Sequence, residues 1–143
     1  MKNAQSIIYS IIPFKEVGPL KFGMSRNEVF TILGEFDREI KTFTGGIAEM
    51  RKNIFCLYKK DKLHEVTFSP GIKLMFDDQL LVKQEGIDYL LATYEYRTND
   101  VGFTIFPAIG IGFTGFGKSK DAKVVMAFGK SVLKDYLKLL PKE

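Results

Sequence analysis

Gly23-Met24-Ser25-Arg26-Asn27-Glu28-Val29-Phe30-Thr31-Ile32-Leu33-Gly34 is the stretch from which the fold can be read. Ser25 is an N-cap residue, and Glu28 three positions later completes a capping box in which each side chain satisfies a free backbone N–H. Met24 before the cap and Val29 after it form a hydrophobic staple, and Val29, Ile32 and Leu33 keep helical spacing. Gly34 can close the helix in a left-handed conformation. The spacing predicts a short helix over 26–33. Downstream the period changes to two: 54–58 and 63–68 read as a hairpin turning through Lys59-Lys60-Asp61-Lys62, with Val66 and Phe68 toward the core. Strand-like runs at 72–76 and 80–82, separated by Asp77-Asp78, extend this into an expected antiparallel meander of three or four strands. The polar, glycine-containing segment 41–53 reads as a connection.

The pattern then begins again. Ile87, Leu90, Leu91 and Tyr94 mark one face of a helix over 84–94. Strand-like segments follow at 101–106, 109–116 and 123–128, and a last helix over 130–140 carries Val132, Leu133, Tyr136, Leu137 and Leu140 on one side. The expected class is α+β: antiparallel sheet with helices packed on one face, in two tandem helix-then-strands units. These are 18–82 and 83–143 within a single domain, 1–143. The repeat is one of element order and not of residue identity.

A chain of 143 residues can close a real core, and its apolar content of 45% excludes wholesale disorder. Thirteen Phe and six Tyr without Trp favour sheet, with most rings inside. The charge of +4 is too mild for a dedicated nucleic-acid binder. A lone cysteine implies no internal disulfide. Residues 7–12 only faintly resemble a signal peptide, because Ser10 and Tyr9 interrupt the run and no small-x-small cleavage site follows; they read better as a β-branched strand. No stretch has the roughly 20 apolar residues of a bilayer span. The expectation is a cytoplasmic protein without membrane contact.

Chemistry-bearing residues are few. Cys56 and His64 fall on neighbouring strands and could pair as nucleophile and base, but no supporting loop or oxyanion donor accompanies them; a buried thiol and an incidental histidine are the plainer account. The ligand sets for zinc or a hard cation are lacking. Gly112 through Gly117, Lys118 and Ser119 spell GxxxxGK[ST], a phosphate-binding loop. Such a loop leaves a buried strand and opens a helix in a parallel sheet, whereas 121–128 reads as strand. The expectation is therefore no catalytic residue, no cofactor and no metal, with nucleotide binding through the Gly112–Ser119 loop as the alternative.

A binding surface is the remaining possibility. Phe106 and Phe116 would mark a contact surface if exposed, and Lys118 and Lys120 stand beside them. Lys130, Lys134 and Lys138 recur every four residues opposite the apolar stripe of the last helix, as a solvated face does. An acidic partner would suit them better than nucleic acid, because no aromatics interleave with the basic row.

The run Gly18-Pro19-Leu20-Lys21-Phe22-Gly23-Met24-Ser25-Arg26-Asn27-Glu28-Val29, followed by the hairpin carrying Tyr58, Asp61, Leu63, Val66 and Phe68, resembles the helix-plus-sheet repeat of β-lactamase-inhibitor-like proteins and small outer-membrane assembly lipoproteins. It is similar, too, to small bacterial immunity-type proteins. The lipobox cysteine of the lipoproteins is missing. The resemblance implies a non-enzymatic module whose sheet face binds another protein, a toxin or an enzyme that it neutralises.

Overall fold

In the computed structural model the described residues are 4–42, 45–99, 102–115 and 123–140. They form thirteen strands and three α-helices. The strands are β1 (Ile8–Ile12), β2 (Glu16–Val17), β3 (Leu20–Lys21), β4 (Arg38–Lys41), β5 (Ile47–Arg51), β6 (Ile54–Lys59), β7 (Lys62–Phe68), β8 (Lys73–Phe76), β9 (Gln79–Leu80), β10 (Arg97–Thr98), β11 (Thr104–Phe106), β12 (Ile111–Thr114) and β13 (Val124–Phe128). The helices are α1 (Arg26–Leu33), α2 (Gln84–Thr93) and α3 (Lys130–Leu139), and the protein is α+β. The capping box of α1 is complete: Ser25 Oγ accepts from the Glu28 N–H and Glu28 Oε1 from the Ser25 N–H, both at 3.1 Å.

Eight strands form one sheet in the order β10-β11-β12-β13-β7-β6-β5-β4, antiparallel throughout. Two four-stranded meanders compose it, β4–β7 following α1 and β10–β13 following α2, and they meet through their last strands, β7 and β13. The hairpin of β6 and β7 lies where the sequence places it. The expected continuation of that meander does not occur. After Phe68 the chain leaves the sheet, and β8 joins a second one, ordered β3-β2-β1-β8-β9, where it runs parallel to β1. The vacated edge of β7 is taken by β13 instead. The segment 41–53, expected as a connection, supplies β5 and the end of β4.

Strand pleating assigns each residue to one of two faces. On the inner face of the large sheet, Cys56, Tyr58, Val66, Phe68, Phe113 and Val125 meet the small sheet's Tyr9, Ile11, Val17 and Leu74 in one core. The Tyr9 and Phe68 rings, 5.0 Å apart, join the two sheets. Helices α1 and α2 seal the same core with Val29 and Leu33, and with Ile87 and Leu90. The α2 docking is close: a Cβ on Gly86 would stand 2.1 Å from the Leu80 carbonyl oxygen. Gly86→Ala should therefore lose roughly 2 kcal/mol net, since overpacking of about 3 outweighs the ~1 gained in helix propensity; urea unfolding measures it.

The third helix departs from the expectation of helices on one face. It packs on the opposite side, laying Val132, Leu133, Tyr136 and Leu137 over Ile105, Met126 and Phe128. The Tyr136 ring stands edge-on to Phe103 and Phe128 at 5.1 and 5.0 Å, and its hydroxyl donates to Glu65 of β7. Burial raises the Glu65 carboxyl pKa, the Tyr136 hydrogen bond opposing it only in part. A raised carboxyl pKa contributes stability below the ordinary carboxylate range, and that contribution is lost as pH climbs through the raised value. Glu65→Gln, which keeps an acceptor for Tyr136, should thus stabilise the protein at pH 7 and not at pH 4, as urea melts at the two values will show.

Candidate functional site

Cys56 and His64, which the sequence pairs as a possible nucleophile and base, are not brought together. Cys56 is in register with Glu49 and Val66 on the inner face, and burial pushes its thiol up to about 12, so no useful thiolate exists near neutral pH. His64 is the extra residue of a bulge in β7, where Leu57 pairs with Glu65 and Tyr58 with Leu63. Its Nδ1 shares a hydrogen bond of 2.7 Å with Ser131 Oγ of α3, on the far side of the sheet from Cys56. Gly112 lies within β12, antiparallel to both neighbours, and Gly117, Lys118 and Ser119 of the candidate phosphate loop lie outside the described residues. Among the described residues no group of three His, Cys, Asp or Glu side chains could hold a metal, and no helix is long and apolar enough to cross a membrane.

Of the candidate contact residues, Phe106 is fully buried, packed against Tyr96 and Phe113 at 6.1 and 5.9 Å; it belongs to the core, which corrects its expected place on a contact surface. Phe116, Lys118 and Lys120 lie outside the described residues. Lys130, Lys134 and Lys138 are all exposed on α3.

A different surface emerges from the register. Helix α3 covers the outer face of the large sheet only over β13, β7 and their neighbours. Running outward from β7, Thr67, Phe55, Met50 and Arg38 stand in one row and Glu65, Leu57, Ala48 and Ile40 in the next, with Glu65 under Tyr136 of α3 and the β4 to β6 members beyond the helix. Ile40, Ala48, Met50, Phe55 and Leu57 are half-buried. They make an apolar area across three strands with no helix above it among the described residues. Arg38, Lys52, Lys59 and Lys62 rim it, and Asp37 and Asp135 are the acidic exceptions. The outer face of the small sheet is a narrower alternative: Ile8 and Ile12 are 57% and 47% exposed, but Ser10 separates them and Lys73 and Glu16 flank them.

What stiffens this half of the sheet lies on its inner face. Glu49, 1% exposed, accepts from Tyr58 Oη at 3.0 Å, Arg51 Nη1 at 3.1 Å and Arg26 Nε at 2.8 Å. Arg26 also pairs with Glu39, and these carboxylates, Glu49 first, raise its pKa. Arg51 reaches the Gly34 carbonyl through Nε and Nη2 at 3.2 and 2.8 Å. The Phe36 ring lies 5.7 Å from each guanidinium carbon. Both ends of α1 are thereby tied to β5. With three donors on it, Glu49 is an anchor, not a free base.

Reading the sequence missed β4 and β5 because their alternation is inverted. In Ile47-Ala48-Glu49-Met50-Arg51 the charged Glu49 and Arg51 turn inward beside Ile47, while the apolar Ala48 and Met50 turn outward. A period of two was visible there, with the opposite sign. Comparison with protein-family models, curated proteins and solved structures returns no match.

Proposed function

We propose that this chain is a non-enzymatic protein-binding module of the immunity or inhibitor kind, and that the uncovered half of the large sheet receives an acidic partner protein with an apolar centre. The observation that carries the reading is Phe55, Leu57, Met50, Ala48 and Ile40 left half-exposed on strands β4 to β6 behind a basic rim. A sheet surface normally alternates polar side chains outward. Here the outward set is apolar while Glu49 and Arg51 take the inward positions, the reverse of what solubility alone would select. Basic residues at the rim speed encounter with an acidic surface and fix its orientation, and the apolar centre supplies the affinity. Confinement to the cytoplasm is part of the same proposal.

The experiment places a benzophenone-bearing amino acid at position 55, with a second protein labelled at position 8 as control, in cells that make this protein naturally. The expected result is one acidic protein cross-linked from position 55. That protein, purified, should bind the unlabelled chain less tightly as salt rises. Cross-linking from position 8 alone, or a purified candidate that does not bind, would overturn the reading.

A further inference from the structure

The two-residue β6–β7 turn needs positive φ at both positions and places a lysine at the first. Lys60 and Asp61 both adopt left-handed backbone, with φ of 50° and 59°. Asn and Gly suit such positions, and a lysine there is uncommon. Asp61 has a structural task, since its Oδ1 accepts the Arg26 N–H at the start of α1. Neither Lys60 nor Lys62 has an ion-pair partner among the described residues, and Lys59 is held loosely by Asp135 at 3.8 Å.

These lysines border a cavity of about 500 Å³ lined by Gly45, Lys59, Lys60, Lys62 and His64. Its floor is ordered by the bulge at His64, whose carbonyl accepts from the Gly129 N–H while its ring is held by Ser131. A neighbouring cavity of about 250 Å³ includes Arg26 and Tyr58, but that guanidinium is already committed to Glu49 and Glu39. The larger cavity therefore gathers the uncompensated positive charge of this end of the molecule.

We propose that this cavity is an oxyanion pocket, taking a phosphate or carboxylate group carried on a larger molecule between Lys59, Lys60 and Lys62, with the His64 ring at its base. Three ammonium groups outnumber the two nearby carboxylates, Asp61 in the turn and Asp135 at 3.8 Å from Lys59, which favours an anion, and charge-assisted hydrogen bonds would orient it. The His64 ring is less basic than usual, through burial first and then through Lys59, as expected where positive charge is concentrated. The pocket shares Lys59 and Lys62 with the basic rim described above, but its anion binding does not rest on that reading and can be tested without the partner protein.

The test follows the backbone and His64 ring resonances of the whole chain by NMR, titrating sulfate in one arm and a hexaglutamate peptide in the other. Sulfate keeps its charge across neutral pH, and the peptide presents carboxylates on a chain. Saturable shifts centred on residues 59–64 in either arm are expected, and the stronger arm identifies the source of the anion. A Lys60→Asn, Lys62→Gln variant, in which Asn suits the left-handed turn, should weaken binding about tenfold or more. Lys21→Gln, on the small sheet, should leave it unchanged. Shifts linear in ligand up to about 50 mM in both arms, as screening of exposed charge gives, would overturn the assignment. So would affinities equal in the double variant and the natural protein.

Discussion

Glu49→Leu should cost about 3–5 kcal/mol, a large share of the roughly 5–15 kcal/mol by which a domain of this size is stable. The substitution strips the counter-charge from Arg51, whose side chain is 4% exposed, and leaves the Tyr58 hydroxyl without its acceptor. A guanidinium held in place by the Gly34 carbonyl cannot swing into water without releasing the end of α1. The loss is therefore more than one hydrogen bond. Replacing Glu49 and Arg51 together with leucine and methionine should recover most of it, because the uncompensated charge disappears with its partner. Urea unfolding of the two variants decides between this account and a surface-like ion pair: a single variant within about 1 kcal/mol of the natural protein would show that the network anchors nothing.

The second large effect concerns the proposed partner. Phe55→Glu should reduce its affinity about 100-fold or more, equivalent to about 3 kcal/mol. Phe55 lies between Met50 and Thr67 at the centre of the uncovered rows, so a carboxylate there would be buried against the partner with nothing to neutralise it. If the partner is acidic, the new charge also repels it. The protein itself should fold normally, since the ring is half-exposed and a surface strand substitution costs at most about 1 kcal/mol. Unchanged thermal unfolding alongside lost binding, read by calorimetry with the cross-linked protein, is the expected pair of results. Retained binding would move the interface elsewhere.

Local order was legible wherever neighbours along the chain decide it. The capping box at Ser25 and Glu28 sets the start of α1, the apolar spacing of Ile87 and Leu90 gives α2, and the stripe from Val132 to Leu137 gives α3. The hairpin turn at Lys60-Asp61 and the turn at Asp77-Asp78 were equally local, although every one of those four residues has positive φ. Strand partnership is a different matter. Nothing in Lys73-Leu74-Met75-Phe76 tells that it pairs with β1 and not with β7, because pairing depends on which sheet edge the whole chain leaves free. The candidate surface was hidden for a related reason. Ala48 and Met50 acquire meaning only when Glu49 and Arg51 find a buried place opposite Tyr58 and beneath Phe36. A helix-end carbonyl and a guanidinium 17 residues apart cannot be matched by periodicity.

The position of β1 has a consequence for how the protein is made. This strand sits inside the small sheet, between β2 and β8, and its parallel partner lies 65 residues further along the chain. On the ribosome, at about 5–20 residues per second, β1 must wait several seconds with one edge open before β8 emerges. Ile8 and Ile12 face outward on that waiting strand. The nascent chain thus passes through an interval in which an unpaired strand edge flanked by outward isoleucines is available to other molecules, the stage at which a chaperone that shields such edges acts.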